Sequence, residues 1–375
     1  MRRIAFIASN EYVPWGGSEY LWAGAAQKIA RSGVAVCVSV KDWGKPVKQV
    51  EQLRDADCRI FKRPVPSLAR RAVRKLPPWR DYALRHVRQV GAGADLVVVS
   101  QGSMSDGFPW MLAAHSSGLP YCLICQGVAE SWWPDDDLAE GLAGLYENAR
   151  AAFFVSHDNV HLTRQQLVTP LPRARVIRNP FNVRYDASPP WPNHNAGLSL
   201  AFVSRLEISG KGHNVLFQVL NLPHWREREV RVSLYGDGPN ARGLRRLAQG
   251  FGLLNVGFCG SVVDIEKIWA AHHAFILPSR HEGMPLALVE AMLCGRPAIA
   301  TDVGGVRELL RDNLNGFLVK APTVELLDEA MTRAWENRHR LKEMGEQAAI
   351  DVRKFVGPDP VADFVRELLA LTPAC

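Results

Sequence analysis

Residues 274–301, AFILPSRHEGMPLALVEAMLCGRPAIAT, constrain the chain more than any other stretch. The apolar run 274–277 reads as a buried strand, and Pro278 and Ser279 end it. Arg280, His281, Glu282 and Gly283 form a turn. Pro285 suits the first position of a helix, where its missing N–H costs nothing. That helix runs to about Leu293 and is closed by Cys294 and Gly295. A second apolar strand, 298–301, follows. Strand, turn, helix and strand make half of a doubly wound unit, in which ligands bind beyond the carboxyl ends of the strands.

Two carboxylates bracket the turn. Glu282 precedes the helix, and Glu290 lies inside it among Leu286, Leu288, Val289, Met292 and Leu293. A carboxylate in such surroundings needs a donor. Between the two, the amides of Gly283, Met284 and the first helical residues have no helical partner of their own. They form an anion site made of backbone. The alternative is that Glu290 caps a neighbouring loop and Glu282 is a solvated turn residue.

A second cluster follows the predicted strand 198–203, in SRLEISGKGH, residues 204–213. Arg205 can fork onto phosphate oxygens, and Lys211, with a glycine on each side, supplies a point charge. The pair suits a diphosphate; a salt-bridged surface loop is the other reading. His213 is expected to support the loop rather than react. Nearer the amino terminus, strand 3–8 leads to a loop with Gly16-Gly17 and to a helix, 19–31, for which Ser18 is a plausible cap. No G-x-G-x-x-G is present, and a glycine pair alone is a weak signal. Strand 121–126 ends at Gln126. The segment SWWPDDD then offers Trp132 and Trp133 as faces for a sugar ring and Asp135 to Asp137 as acceptors for its hydroxyls. A surface loop pinned by the tryptophans is the competing reading. Cys122 and Cys125 lie in a strand pattern, where positions three apart face opposite sides, and read as buried and inert. No Cys or His grouping suggests a structural metal site.

At 375 residues the chain suits two domains. Its net charge of +7 has a local source. Residues 59–88 hold ten Lys and Arg against Asp81 alone, a charge of +9, so the remainder is −2 (35 basic, 37 acidic). Leu68, Ala69, Val73, Leu76 and Trp79 are interleaved with the arginines. A basic amphipathic surface helix facing an anionic membrane fits this pattern, and nucleic acid is not an expected partner. A solvated helical face is the alternative. No apolar run approaches the roughly 20 residues of a membrane helix. In residues 1–8 the apolar run is cut too early for a signal peptide. The expected place is the cytoplasm, peripheral on the inner membrane face.

The motifs together resemble the retaining glycosyltransferases of family 4. Their mark, Glu, seven residues, Glu, then Ala-Met-x-x-Gly-x-Pro, reads here Glu282…Glu290-Ala291-Met292-Leu293-Cys294-Gly295-Arg296-Pro297. Ser204-Arg205-Leu206 with Lys211-Gly212-His213, Gly236-Asp237-Gly238-Pro239, Gly304-Gly305-Val306-Arg307-Glu308 and Asn315-Gly316-Phe317-Leu318-Val319 match further family motifs. The match is strongest over 203–319 and weak over 41–94.

The resemblance implies an α/β protein of the GT-B fold, two Rossmann-like domains with parallel sheets facing across a cleft. The acceptor-binding domain would span 1–188 and the nucleotide-sugar domain 196–355. The proline-rich stretch 186–195 marks the boundary, and a helix in 356–375 would cross back to the first domain. It further implies a UDP- or GDP-sugar donor, a glycan or lipid-linked acceptor and a role in cell-surface polysaccharide synthesis. No metal or other cofactor is expected. Glu282 would lie by the donor sugar and Glu290 at the ribose. Arg205, Lys211 and the starts at Gly283, Met284, Pro285, Leu286 and Glu308 would lie by the diphosphate, with Gly16 and Gly17 beside it. Family members usually carry a histidine where this chain has Gln126, a residue that can donate a hydrogen bond but cannot relay a proton. An epimerase of the same fold and a non-catalytic sugar-nucleotide-binding protein are the alternatives.

Overall fold

The structure is a computed structural model that describes residues 2–10, 13–64, 77–192 and 197–373. The chain separates into two compact units, residues 1–180 with 359–375 and residues 181–358. The basic amphipathic helix expected around Leu68 to Leu76, and with it the centre of the proposed membrane surface, lies outside the described residues.

Unit 1 begins with β1 (Arg3–Ala8), α1 (Glu19–Arg31), β2 (Ala35–Lys41), α2 (Lys48–Asp55), β3 (Arg59–Arg63) and α3 (Pro77–Val90). It continues with β4 (Leu96–Gln101), α4 (Phe108–Ser116), β5 (Tyr121–Cys125), α5 (Asp136–Asn148), β6 (Ala152–Phe154), α6 (His157–Leu167) and β7 (Ala174–Val176). The seven strands are all parallel, in the order β3-β2-β1-β4-β5-β6-β7. Every residue of β4 and β5 is buried, as expected where helices cover both faces of a parallel sheet. Cys122 packs with Ile4, Phe6 and Val98 on one face, and Cys125 with Val97, Val99 and Tyr146 on the other. Burial pushes both thiols far above the ordinary range, and Cys125 reaches about 12.

Unit 2 contains β8 (Leu198–Val203), α7 (Ile208–Lys211), α8 (His213–Leu220), α9 (Pro223–Glu227), β9 (Val230–Tyr235), α10 (Ala241–Gly250), β10 (Val256–Gly260) and α11 (Ile265–Ala271). It is completed by β11 (Ala274–Leu277), α12 (Leu286–Leu293), β12 (Ala298–Thr301), α13 (Val306–Leu309), β13 (Gly316–Val319), α14 (Val324–Glu336) and α15 (Leu341–Phe355). Its sheet runs β10-β9-β8-β11-β12-β13, again all parallel. The order reverses between β8 and β11, so the loops leaving these two neighbours flank the crevice where doubly wound sheets bind ligands. The last helix, α16 (Pro360–Ala370), returns to unit 1. There Phe364 meets Phe153 edge to face at 5.2 Å, and both rings are fully buried.

Three local expectations are corrected. Ser18 sits at the start of α1 but does not cap it with its side chain; its hydroxyl donates to Glu19 instead. Pro285 is the residue before the first helical turn, with an extended ψ of 115°, and its carbonyl accepts from Leu288 and Val289. The segment after Trp133 opens a helix rather than continuing as a surface loop. Asp135 accepts from the Leu138 amide and caps the 13-residue helix α5.

Candidate active site

The exits of β8 and β11 are locked together by glycine contacts that admit no side chain. Gly212 has φ +69°, and a Cβ on it would lie 1.9 Å from the Pro278 carbonyl. The Arg280 amide donates to the Gly210 carbonyl at 2.8 Å, and its guanidinium reaches the Ile208 carbonyl at 3.0 Å. Glu207 starts the short helix α7 by accepting from the amides of Ser209 and Gly210. Desolvation pushes its carboxyl up, but hydrogen bonds from the Ser209 hydroxyl and from those two amides hold it below the usual range.

This scaffold delivers Lys211 to Glu282. The ammonium lies 2.6 Å from Oε1 in an ion pair whose side chains are 26% and 8% exposed. The Ser279 hydroxyl donates to the same Oε1 at 2.7 Å. A third support comes from the loop after β12. The Gly305 amide donates to the Gly283 carbonyl at 2.7 Å, and a Cβ on Gly304 would lie 2.1 Å from the Glu282 carbonyl. Gly283, Met284, Pro285 and Leu286 thus form a braced approach to α12, with Met284 and Pro285 buried. Glu308 stands half-buried on α13, the helix this loop opens. Arg205 is exposed on the same loop as Lys211, and its carbonyl accepts from the Glu207 amide at 2.8 Å.

His213 follows this loop and is fully buried, stacked on Phe202 at 4.3 Å. Desolvation, then the Lys211 charge, lowers its pKa to about 4. It is a neutral packing element at pH 7.

Glu290 takes a different partner. It is 3% exposed, and its Oε1 accepts from both the backbone and the side-chain nitrogen of Asn182, at 2.9 and 2.8 Å. Burial raises its pKa, and the Asn182 bonds oppose that shift. The capping of a neighbouring segment, weighed above as the alternative for Glu290, is what this geometry contains. Glu282 is not a solvated turn residue.

In unit 1, Gly16 and Gly17 lead into α1, where Glu19 is buried at 5% exposure. Its carboxylate accepts from Trp22 Nε1 at 2.9 Å, from the Ser18 hydroxyl at 3.0 Å and from Asn10 at 3.4 Å. Desolvation raises its pKa despite these bonds. Gln126 donates to the Asn179 side chain and to the Ser18 carbonyl, each at 3.2 Å. Both of its N–H groups are therefore engaged within the unit. Trp132 and Trp133 are exposed, at 41% and 58%.

Sequence reasoning missed Ser279, Asn182, Asn179 and Glu19. Only Glu19 carried a local signal, as an acidic residue opening an apolar helix. The other three act through partners between 3 and 108 positions away.

Residues 197–337 match the family model described as glycosyl transferases group 1. The match falls within unit 2, and the resemblance read from the motifs holds at the level of that description. An exopolysaccharide phosphotransferase of Streptomyces coelicolor is 40% identical over 129 residues, 34% of this chain and 13% of that protein. The alpha-D-kanosaminyltransferase of Streptomyces kanamyceticus is 29% identical over 133 residues, 33% of each. The chain thus spans a third or less of the length of these two relatives. Among solved structures, Anabaena HepE in complex with UDP superposes with a TM-score of 0.74 at 18% identity, covering 99% of this chain and all of that one. At that identity the likeness is one of fold, and the two parallel-sheet units are those of the GT-B architecture.

Proposed function

We propose that this protein is a metal-independent, retaining hexosyltransferase of family 4. It would move a sugar from a UDP- or GDP-sugar to a glycan or lipid-linked acceptor during cell-surface polysaccharide synthesis. The observation that carries the reading is the Lys211–Glu282 ion pair, set at the exits of β8 and β11, with Arg205 on the loop that leaves β8 and Glu282 on the approach to α12. When a sugar leaves a nucleoside diphosphate, negative charge gathers on the β-phosphate. Arg205, the two Lys211 protons not facing Glu282, and the backbone N–H groups of Gly283, Met284 and Leu286 would stabilise it there. Preorganised charge of this kind is usually the largest single catalytic contribution. The diphosphate itself would take the acceptor's proton, so no protein nucleophile is needed. Glu282 would receive a hydroxyl of the donor sugar. Glu290 would receive the ribose hydroxyls on the oxygen that Asn182 leaves open. Gly16 and Gly17 would border the diphosphate, and Trp132 and Trp133 the acceptor.

The named relatives support sugar transfer and polysaccharide work as the field of activity, and HepE supports UDP as the first nucleotide to try. No described helix is long and apolar enough to cross a membrane. Work at the inner membrane face through residues 59–88 is part of the proposal. The test is thermal unfolding with UDP, GDP, ADP and CMP at millimolar concentration, followed by donor turnover with sugar nucleotides of the stabilising base. A clear upward shift with one diphosphate is expected. If none stabilises the protein, the reading is wrong.

A further inference from the structure

Glu282 has two carboxylate oxygens, and the protein uses them unequally. Oε1 receives the Lys211 ammonium at 2.6 Å and the Ser279 hydroxyl at 2.7 Å. Among the described residues Oε2 receives no hydrogen bond. An ionised carboxylate offers about four acceptor directions over its two oxygens, so the unused capacity lies on Oε2.

The two donors do different things. An ammonium is a point charge on a flexible stem and fixes a distance more firmly than a direction. Ser279 is fully buried, on a rigid exit two residues beyond β11 and three before Glu282. Its hydroxyl adds a second fixed direction and so sets the plane of the carboxylate. The backbone beneath is held as well, by the close approach of Gly304 to the Glu282 carbonyl. A carboxylate held this way cannot rotate to exchange its oxygens without breaking a hydrogen bond and an ion pair together.

We propose that Ser279 is a positioning residue that, with Lys211, reserves Oε2 of Glu282 as the one acceptor offered to the donor sugar. The site then selects donors that carry a free hydroxyl where Oε2 sits. This inference rests on the donor-site reading above. A sugar hydroxyl donates to Oε2; a hydrogen or fluorine at that carbon cannot, and leaves a desolvated charge without its partner. Discrimination of about 10- to 100-fold is expected from a hydrogen bond to a charged group.

The experiment uses the full chain, the nucleoside diphosphate that stabilises it, and a set of monodeoxy and monofluoro sugar nucleotides. Nucleotide affinity is measured by calorimetry, and turnover as release of the diphosphate. For Ser279→Ala, nucleotide affinity within about twofold of wild type is expected, with kcat for release lowered about 10- to 100-fold. Wild type should reject one deoxy donor by that same factor, and Ser279→Ala should no longer distinguish it. Ser279→Thr, which keeps the hydroxyl, should recover most of kcat. Turnover of Ser279→Ala at the wild-type rate overturns the inference, as does a loss of nucleotide affinity in step with turnover. Should the alanine variant not fold, the decision passes to wild type: equal use of all deoxy donors overturns the inference. If wild type binds no nucleoside diphosphate at all, the donor-site reading itself falls, an outcome distinct from the others.

Discussion

Gln126 and Asn179 hold each other through reciprocal amide hydrogen bonds, Asn179 Nδ2 to Gln126 Oε1 at 2.7 Å and Gln126 Nε2 to Asn179 Oδ1 at 3.2 Å. The pair is buried and ties the exit of β5 to the segment after β7. Gln126 also reaches the Ser18 carbonyl at the start of α1. Replacing either residue by alanine leaves the other's amide unsatisfied. Each single change should cost about 1–3 kcal/mol. The double variant should cost less than the sum, with a coupling on the order of 1 kcal/mol. Urea unfolding of the four proteins checks this; strict additivity would show that the pair does not act as one.

Glu290 predicts a stabilising substitution. Burial raises its folded pKa above the unfolded value of about 4.5. The stability it contributes is therefore present below that value and is lost as pH rises through the folded pKa. Glu290→Gln, which keeps an acceptor for Asn182, should raise Tm at pH 7 and match wild type near pH 4. It should also weaken binding of the stabilising nucleotide if the ribose lies there. An unchanged Tm at pH 7 counts against the raised pKa.

Acid should act in the opposite sense through two histidines. Burial lowers His213 and His86 to about 4, from an ordinary value of 6.5. A depressed histidine contributes stability above its unfolded pKa and loses it as pH falls from 6.5 towards 4. Each contribution is roughly 3 kcal/mol at neutral pH. Chemical denaturation at stepped pH should show stability falling over this window, and His213→Gln should remove about one proton's worth of the slope. A variant with the wild-type slope would exclude His213 from the effect.

Gly304→Ala should disturb the site without touching a charged group. The position has φ +55°, and the new Cβ would lie 2.1 Å from the Glu282 carbonyl. Backbone must move, at a cost on the order of 2 kcal/mol or more. Thermal unfolding should fall, and with it the shift given by the nucleotide. A variant as stable as wild type would mean that the two loops are not in contact.

Much of the fold was legible because a parallel sheet covered on both faces is written as short apolar runs. The strands Arg3–Ala8, Leu198–Val203, Ala274–Leu277 and Ala298–Thr301 could be read from such runs to the residue. Helix α5 was not seen, since Gly141 and Gly144 weaken its helical signal. Gly141 has a tertiary reason: a Cβ there would lie 3.0 Å from the Phe108 ring of α4. In the candidate site, Glu282 and Lys211 could each be singled out by chemistry and resemblance. That they form an ion pair could not, because 71 positions separate them and only the order of β8 and β11 brings them together.

Helix α16 gives Phe364 and Leu368 to the core of unit 1, where both are fully buried, although the rest of that unit ends at Pro180. During synthesis the ribosome must therefore translate the whole of unit 2 before the apolar surface on α1 and Phe153 is covered. A nascent chain stalled before residue 359 would present that surface to chaperones, and release of the final helix would withdraw it.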